Sequence, residues 1–284
     1  MAKLPPQLYC WAIFLVLLLC QVLEAADLGN EPKRPAGELQ VRLDWRLART
    51  SETQEAARIA WVFSTHITFN KPVRDIPETQ LAGLTKKAYL EMETDIKQYG
   101  VKVKNNGAIP AMPGVMTLLA FDNEIILSSS IKGSNIITGF TDTPLWERLN
   151  RCDDIYQHYV DPEDTNGHKN KRSCGEVMAL YLYLRKYPNR SMEELSQRDP
   201  KVIMTTVTKP AREDIMIIKP CGQDEEDKHG CDLLVGGFRD KDGEEILGPI
   251  ANYIAPGTSL DTDFELDDLA GGVKDIEQIG SRCD

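Results

Sequence analysis

Ser173-Cys174-Gly175-Glu176-Val177-Met178-Ala179-Leu180-Tyr181-Leu182-Tyr183-Leu184 is polar for about one turn and apolar for the next two. Ser173 is a favoured N-cap and Pro188 cannot continue a helix, so the stretch predicts a helix from Ser173 to about Tyr187. A helix that is apolar almost all round is a buried one. Cys174 therefore stands at the N-terminus of a core helix, where unpaired backbone N–H groups and the helix dipole favour a thiolate.

Downstream, Asp214-Ile215-Met216-Ile217-Ile218-Lys219 reads as a strand running straight into Pro220-Cys221. Gly230-Cys231-Asp232-Leu233-Leu234-Val235 then reads as the start of another helix. Thiolates of depressed pKa are what Zn²⁺ binds, and three protein ligands with an open fourth position make a catalytic zinc site. Cys174, Cys221 and Cys231 are the candidate ligands. Glu176, two residues beyond Cys174, is placed to shuttle protons to and from a metal-acidified water. The competing reading of the cysteines is a disulfide among them, and of Glu176 a surface carboxylate at a helix start. His229 is a candidate replacement ligand, although a histidine in a polar loop is more often solvated. His168, six residues before Cys174, is a weaker candidate for a substrate or metal contact.

This order resembles the cytidine deaminase-like superfamily, whose members carry His/Cys-x-Glu at one helix start and Pro-Cys-x-x-Cys at the next, with a strand between. An amphipathic helix over 78–99 and a hairpin over 115–127 precede the first motif, as in that family, so the resemblance covers roughly residues 78–240. The spacing departs from the pattern: nine residues, Gly222 to Gly230, separate Cys221 from Cys231 where the family usually has two. The intervening Gln-Asp-Glu-Glu-Asp-Lys-His is solvated enough to loop out while the sulfurs stay together. Toxin-type members, often exported, vary this motif most. The resemblance implies an α/β fold, a deaminase-like three-layer α/β/α sandwich with a mixed sheet. It also implies Zn²⁺ on Cys174, Cys221 and Cys231, and Glu176 as proton shuttle. The implied reaction is hydrolytic loss of the exocyclic amine of a cytosine- or adenine-type base, with ammonia leaving.

Leu81, Leu84, Ala88, Met92 and Ile96 line one side of the 78–99 helix, which Gly100 stops. Val115 to Phe121, Asp122-Asn123 and Glu124 to Leu127 give the hairpin. Thr143-Pro144 opens a helix through Ile155, and Asp161 to Arg172 is a polar loop. Val202 to Thr208 is β-rich, and Asp242-Gly243 marks a turn. Toward the N-terminus, Glu38 to Trp45 alternates as a strand, and Ser51 to Gln54 has capping-box spacing before a short helix expected over Ala56 to Phe63. From Thr258 the chain carries eight acidic residues against Lys274 and Arg282, which reads as a mobile acidic tail without fold.

Lys3, an apolar run from Trp11 to Leu19 extended through Val22 and Leu23, and then Glu24-Ala25-Ala26 read as a secretory signal peptide, too short for a span of about 20 apolar residues. The expected organisation is a signal peptide (1–25), a linker and accessory segment (26–77), a deaminase-like domain (78–255) and the acidic tail (256–284). The expected product is secreted and free of the membrane after cleavage. Cys10 and Cys20 leave with the signal, and the remaining five cysteines allow two bridges and a free thiol, or three metal ligands and one bridge. The second count leaves Cys152 with Cys283. Asn189-Arg190-Ser191 is a glycosylation acceptor. Asp224 to Asp227 and Asp161 to Gly167 both lack the ligand pattern of a calcium loop. With 33 Lys and Arg against 44 Asp and Glu, a net charge of −11 disfavours duplex nucleic acid as partner. A nucleoside, a free base or a single strand is the expected substrate; the rival class is a disulfide-stapled, non-enzymatic secreted interaction protein, on the same fold with the metal lost.

Overall fold

The computed structural model describes residues 32–50, 58–133, 140–163, 167–211, 213–222 and 229–279. The signal segment, Cys10, Cys20, Ser51 to Gln54, Asp224 to Asp227 and Cys283 lie outside them. The chain enters through β1 (Arg42–Leu43), β2 (Arg49–Thr50), β3 (Arg58–Trp61) and β4 (Phe63–Phe69). Helix α1 (Glu78–Lys97) precedes the hairpin β5 (Val115–Phe121) and β6 (Glu124–Ser129) and the short β7 (Lys132–Gly133). Helices α2 (Pro144–Tyr159), α3 (Gly175–Lys186) and α4 (Met192–Gln197) lead to β8 (Val202–Thr208) and β9 (Met216–Ile218). Then follow α5 (Cys231–Gly236), β10 (Phe238–Arg239), β11 (Glu245–Leu247), β12 (Ala251–Tyr253) and β13 (Val273–Glu277).

The main sheet is mixed and runs β1-β4-β6-β5-β8-β12, with β13 on β4 and β9 on β8. Its strand pairs are antiparallel except β12 on β8. Alternation along β5 sets the layers. Met116, Leu118 and Ala120 pack with Leu81, Leu84, Ala88, Met92 and Ile96 of α1 in one core. Leu119 and Phe121 face the other core, with Val177, Met178, Leu180 and Leu184 of α3 and with α2, α4 and α5. The result is a mixed α/β protein with helices on both faces of the sheet, and none of the described helices is long and apolar enough to cross a membrane.

Local chemistry explains the helix starts. Thr143 accepts the backbone N–H of Trp146, with Pro144 in the first turn of α2. Ser191 and Glu194 form a reciprocal capping box at α4.

Three expectations are corrected. Over the described part of the helix expected from Ala56 to Phe63, Arg58 onward, the chain is instead β3 and the start of β4. Val62, Phe63, Thr65, Ile67 and Phe69 are β-branched or aromatic and lie buried in or beside an inner strand, a setting that overrides a capping signal. The segment read as accessory therefore supplies a strand of the main sheet, with β4 paired to β6 from Ser64 to Thr68. The acidic tail is folded as far as the described chain extends. Phe264, Leu266 and Leu269 bury in the α1 core, and β13 pairs with β4. Its acidity has partners: Glu277 meets Lys186 Nζ at 2.7 Å and Nδ1 of the buried His66 at 3.4 Å.

Asp95 is a buried carboxylate in α1, its Oδ1 accepting from Gln98 Nε2 at 2.9 Å. Burial pushes its pKa up to about 7, against the pull of the Leu43 N–H and Arg42. A carboxyl raised in the folded state binds more protons there than in the unfolded chain, so stability falls as pH rises from about 4 to 7. Asp95→Asn should therefore stabilise the protein at pH 8, by on the order of 2–4 kcal/mol, and leave it nearly unchanged at pH 4. Chemical denaturation at the two pH values reads this; an equal difference at both would contradict it.

Candidate metal centre

The first turn of α3 is pressed against the sheet. A Cβ on Gly175 would lie 2.2 Å from Thr117 Oγ1 of β5, so only glycine permits this approach. It brings Glu176 to Thr206 of β8, whose hydroxyl donates to Oε1 at 2.8 Å. Tyr253, ending β12, donates its hydroxyl to the same oxygen at 3.2 Å. Thr117 and Thr206 hydroxyls meet at 2.7 Å, so a buried polar chain crosses the sheet to the carboxylate. Glu176 is only 3% exposed, and burial, then the nearby Cys221, pushes its pKa up.

Cys174 caps α3 from extended backbone, and its Sγ lies 3.3 Å from that of Cys221. Cys231 begins α5, donating its N–H to Cys221 Sγ at 3.3 Å. The nine-residue gap between the second and third cysteine is closed by direct contact. Asp232 N–H donates to the Cys221 carbonyl at 3.1 Å, and a Cβ on Gly230 would fall 2.6 Å from Cys221 Sγ. His168 is the fourth member, with Nε2 at 3.5 Å from Cys231 Sγ. The ligand atoms of His168, Cys174, Cys221 and Cys231 all lie within 4.8 Å of one another, and the group could hold a metal ion. In a tetrahedral site with Zn–S of about 2.3 Å, neighbouring sulfurs stand about 3.8 Å apart, so the donor set is close to the size that such an ion requires.

The thiols share charge unequally. Hydrogen bonds from Cys174 and then Cys231 pull Cys221 far below the usual thiol range. The same contact with Cys221 pushes Cys174 up, and burial raises Cys231. Burial lowers His168.

Two loops carry these residues, and Asp153 of α2 ties them together. Its Oδ2 accepts from Arg172 at 2.5 Å and its Oδ1 faces His229 Nε2 at 2.6 Å. Arg172 also lies over the Trp146 ring at 3.9 Å, and His229 stacks on Tyr156 at 4.8 Å. Lys169 N–H donates to the His229 carbonyl at 2.9 Å, joining the loops directly. A cavity of about 240 Å³ opens beside the cluster, with Ser130, Asn170, Cys174, Glu176, Thr206 and Cys221 in its wall.

The structure brings Cys174, Cys221 and Cys231 together despite the long gap, with His168, the weaker candidate, beside them and Glu176 in the cavity wall. His229 is a buried support paired with Asp153 and stands outside the cluster. Cys152 is buried inside α2, and Cys283, the partner that the cysteine count leaves it, lies outside the described residues. Asn189 is exposed in the turn after α3. Thr206, Tyr253 and Asp153 carry no motif, although a threonine among apolar strand residues is a readable sign. No family model, curated protein or solved structure matches the chain.

Asp153→Ala should loosen both loops at once. The expected outcome is a loss of metal affinity of about 10- to 100-fold, read by competition with a chelator of known affinity. Unchanged affinity in a folded variant would show that Asp153 does not position the ligands.

Proposed function

We propose that the protein is an exported zinc-dependent hydrolase that deaminates a nucleobase or nucleoside of the cytosine or adenine type. The observation carrying this reading is the cavity that has two candidate ligand sulfurs and the Glu176 carboxylate in one wall. Soft sulfur donors gathered within 4.8 Å of one another suit zinc. When bound, zinc polarises a water for attack on the amine-bearing ring carbon.

The chain's own residues do the rest. With Oε1 of Glu176 engaged by the Thr206 and Tyr253 hydroxyls, Oε2 is the oxygen that exchanges a proton. It takes one from the attacking water, delivers it to the ring nitrogen, and serves the departing amine in the same way. Water adds, the carbon–nitrogen bond breaks, a carbonyl remains and ammonia leaves, with no net redox change. The cavity lies below the ~300–1,000 Å³ common for drug-sized ligands, which favours a single planar base. The charge of −11 favours a free nucleoside or a short single strand over duplex. The 3.3 Å approach of Cys174 and Cys221 favours one rival, a disulfide-stapled interaction protein without metal.

Elemental analysis of protein purified from a secreting host should give about one zinc per chain, lost in Cys221→Ser. Ammonia release from cytidine, adenosine or a single-stranded oligonucleotide should fall by about 10²- to 10⁴-fold in Glu176→Gln while zinc is retained. No zinc, with two disulfides by mass mapping, would replace this reading with the rival.

A further inference from the structure

His168 raises a question that the number of ligand-type atoms does not answer. Its Nε2 faces Cys231 Sγ at 3.5 Å, a distance compatible either with sharing a metal or with an N–H···S hydrogen bond. The other ring nitrogen separates the two. Nδ1 receives the backbone N–H of Asn170 at 3.3 Å and of Arg172 at 3.4 Å. Two donors aimed at Nδ1 require a lone pair there, and a neutral imidazole has one lone pair and one N–H. The proton then resides on Nε2, which faces the sulfur. A metal-bound histidine has the reverse arrangement, its distal N–H given to a carboxylate or carbonyl. Asp153, the nearby carboxylate, is engaged by Arg172 and His229.

The backbone enforces this polarity. Lys171 and Arg172 both take left-handed conformations, with φ of 49° and 61°, which is uncommon for residues other than glycine. That pair of turns directs the Arg172 N–H inward, while Lys171 N–H closes onto the His168 carbonyl at 2.8 Å and Ser173 N–H onto that of Asn170 at 3.0 Å. Arg172 anchors the turn through Asp153 and Trp146. Reversing the roles of the ring nitrogens would mean unwinding the loop that delivers Cys174.

We infer that His168 is a hydrogen-bond donor to the Cys231 sulfur and not a fourth ligand. Resting on the zinc reading above, it follows that the metal is held by three cysteines and keeps its fourth position for water or substrate. His168 is then a positioning residue with an electronic effect. Three thiolates on a dication leave the centre anionic, and an N–H on one sulfur draws charge from it, restoring part of the metal's acidity toward water.

The test is a long-range ¹H–¹⁵N correlation spectrum of His168, recorded on the reduced metal-free protein and again after loading with zinc, alongside His168→Gln. The expected result in both states is a pyridine-type Nδ1 and a pyrrole-type Nε2. His168→Gln, which keeps an N–H donor, should bind one zinc per chain with affinity within about 100-fold of the parent. A pyrrole-type Nδ1 with an Nε2 signal that moves on zinc addition would overturn the inference, as would a folded His168→Gln that binds no zinc. If the parent takes up no zinc but shows the Nε2–H form, the zinc reading fails and the donor assignment stands.

Discussion

Parallel strands cannot be joined by a hairpin; they need a crossover of a dozen or more residues. β8 and β12 are the parallel pair of the main sheet, and the chain between them carries Cys221, Gly230, Cys231 and α5. Because the crossover must return to β8, it brings the start of α5 toward the strand half where Thr206 holds Glu176 at the start of α3. Crevices at the carboxyl ends of parallel strands are a common place for ligand sites in open α/β sheets. Gly175 against Thr117 and Gly230 against Cys221 are the two approaches that let the helix starts come this close.

That convergence has an electrostatic cost. Three thiols and a carboxylate crowd together: burial raises the pKa values of Cys231 and Glu176, and the contact with Cys221 raises that of Cys174 while lowering that of Cys221. Buried ionisable groups persist when they are paired or when they coordinate a metal. In the proposed reading the three sulfurs share a divalent cation, and Arg172, Asp153 and His229 are the frame that holds their loops together. The same frame explains why a nine-residue gap is tolerable: the sulfur positions are fixed by contacts at both ends of the gap, not by its length.

Much of the site was legible because its residues sit at element boundaries that leave marks in sequence. Cys174 and Glu176 open an apolar helix, Cys221 follows a strand and a proline, and Cys231 follows a glycine before an apolar run. The α1 stripe and the β5–β6 hairpin were legible for the same reason, a clear period of 3.6 or 2. His168 was read weakly because its burial comes from backbone turns at Lys171 and Arg172, which no periodicity reports. β3 and the start of β4 are misread as a helix because a capping-like Ser51 to Gln54 stands before them, and a strand buried on both faces shows no alternation to correct it. β13 was missed because its acidic residues resemble a solvated tail until Lys186 and His66 are known to lie opposite Glu277.

In the proposed reading Cys174, Cys221 and Cys231 jointly hold one metal ion beside Glu176. Zinc K-edge X-ray absorption on the purified protein tests it most directly, because it counts and identifies the atoms around the metal. Three sulfur neighbours at about 2.3 Å and one light-atom neighbour at about 2.0 Å are expected, without the outer-shell scattering of an imidazole ring. A shell without sulfur, or protein that carries no stoichiometric zinc with its cysteines reduced, would contradict it.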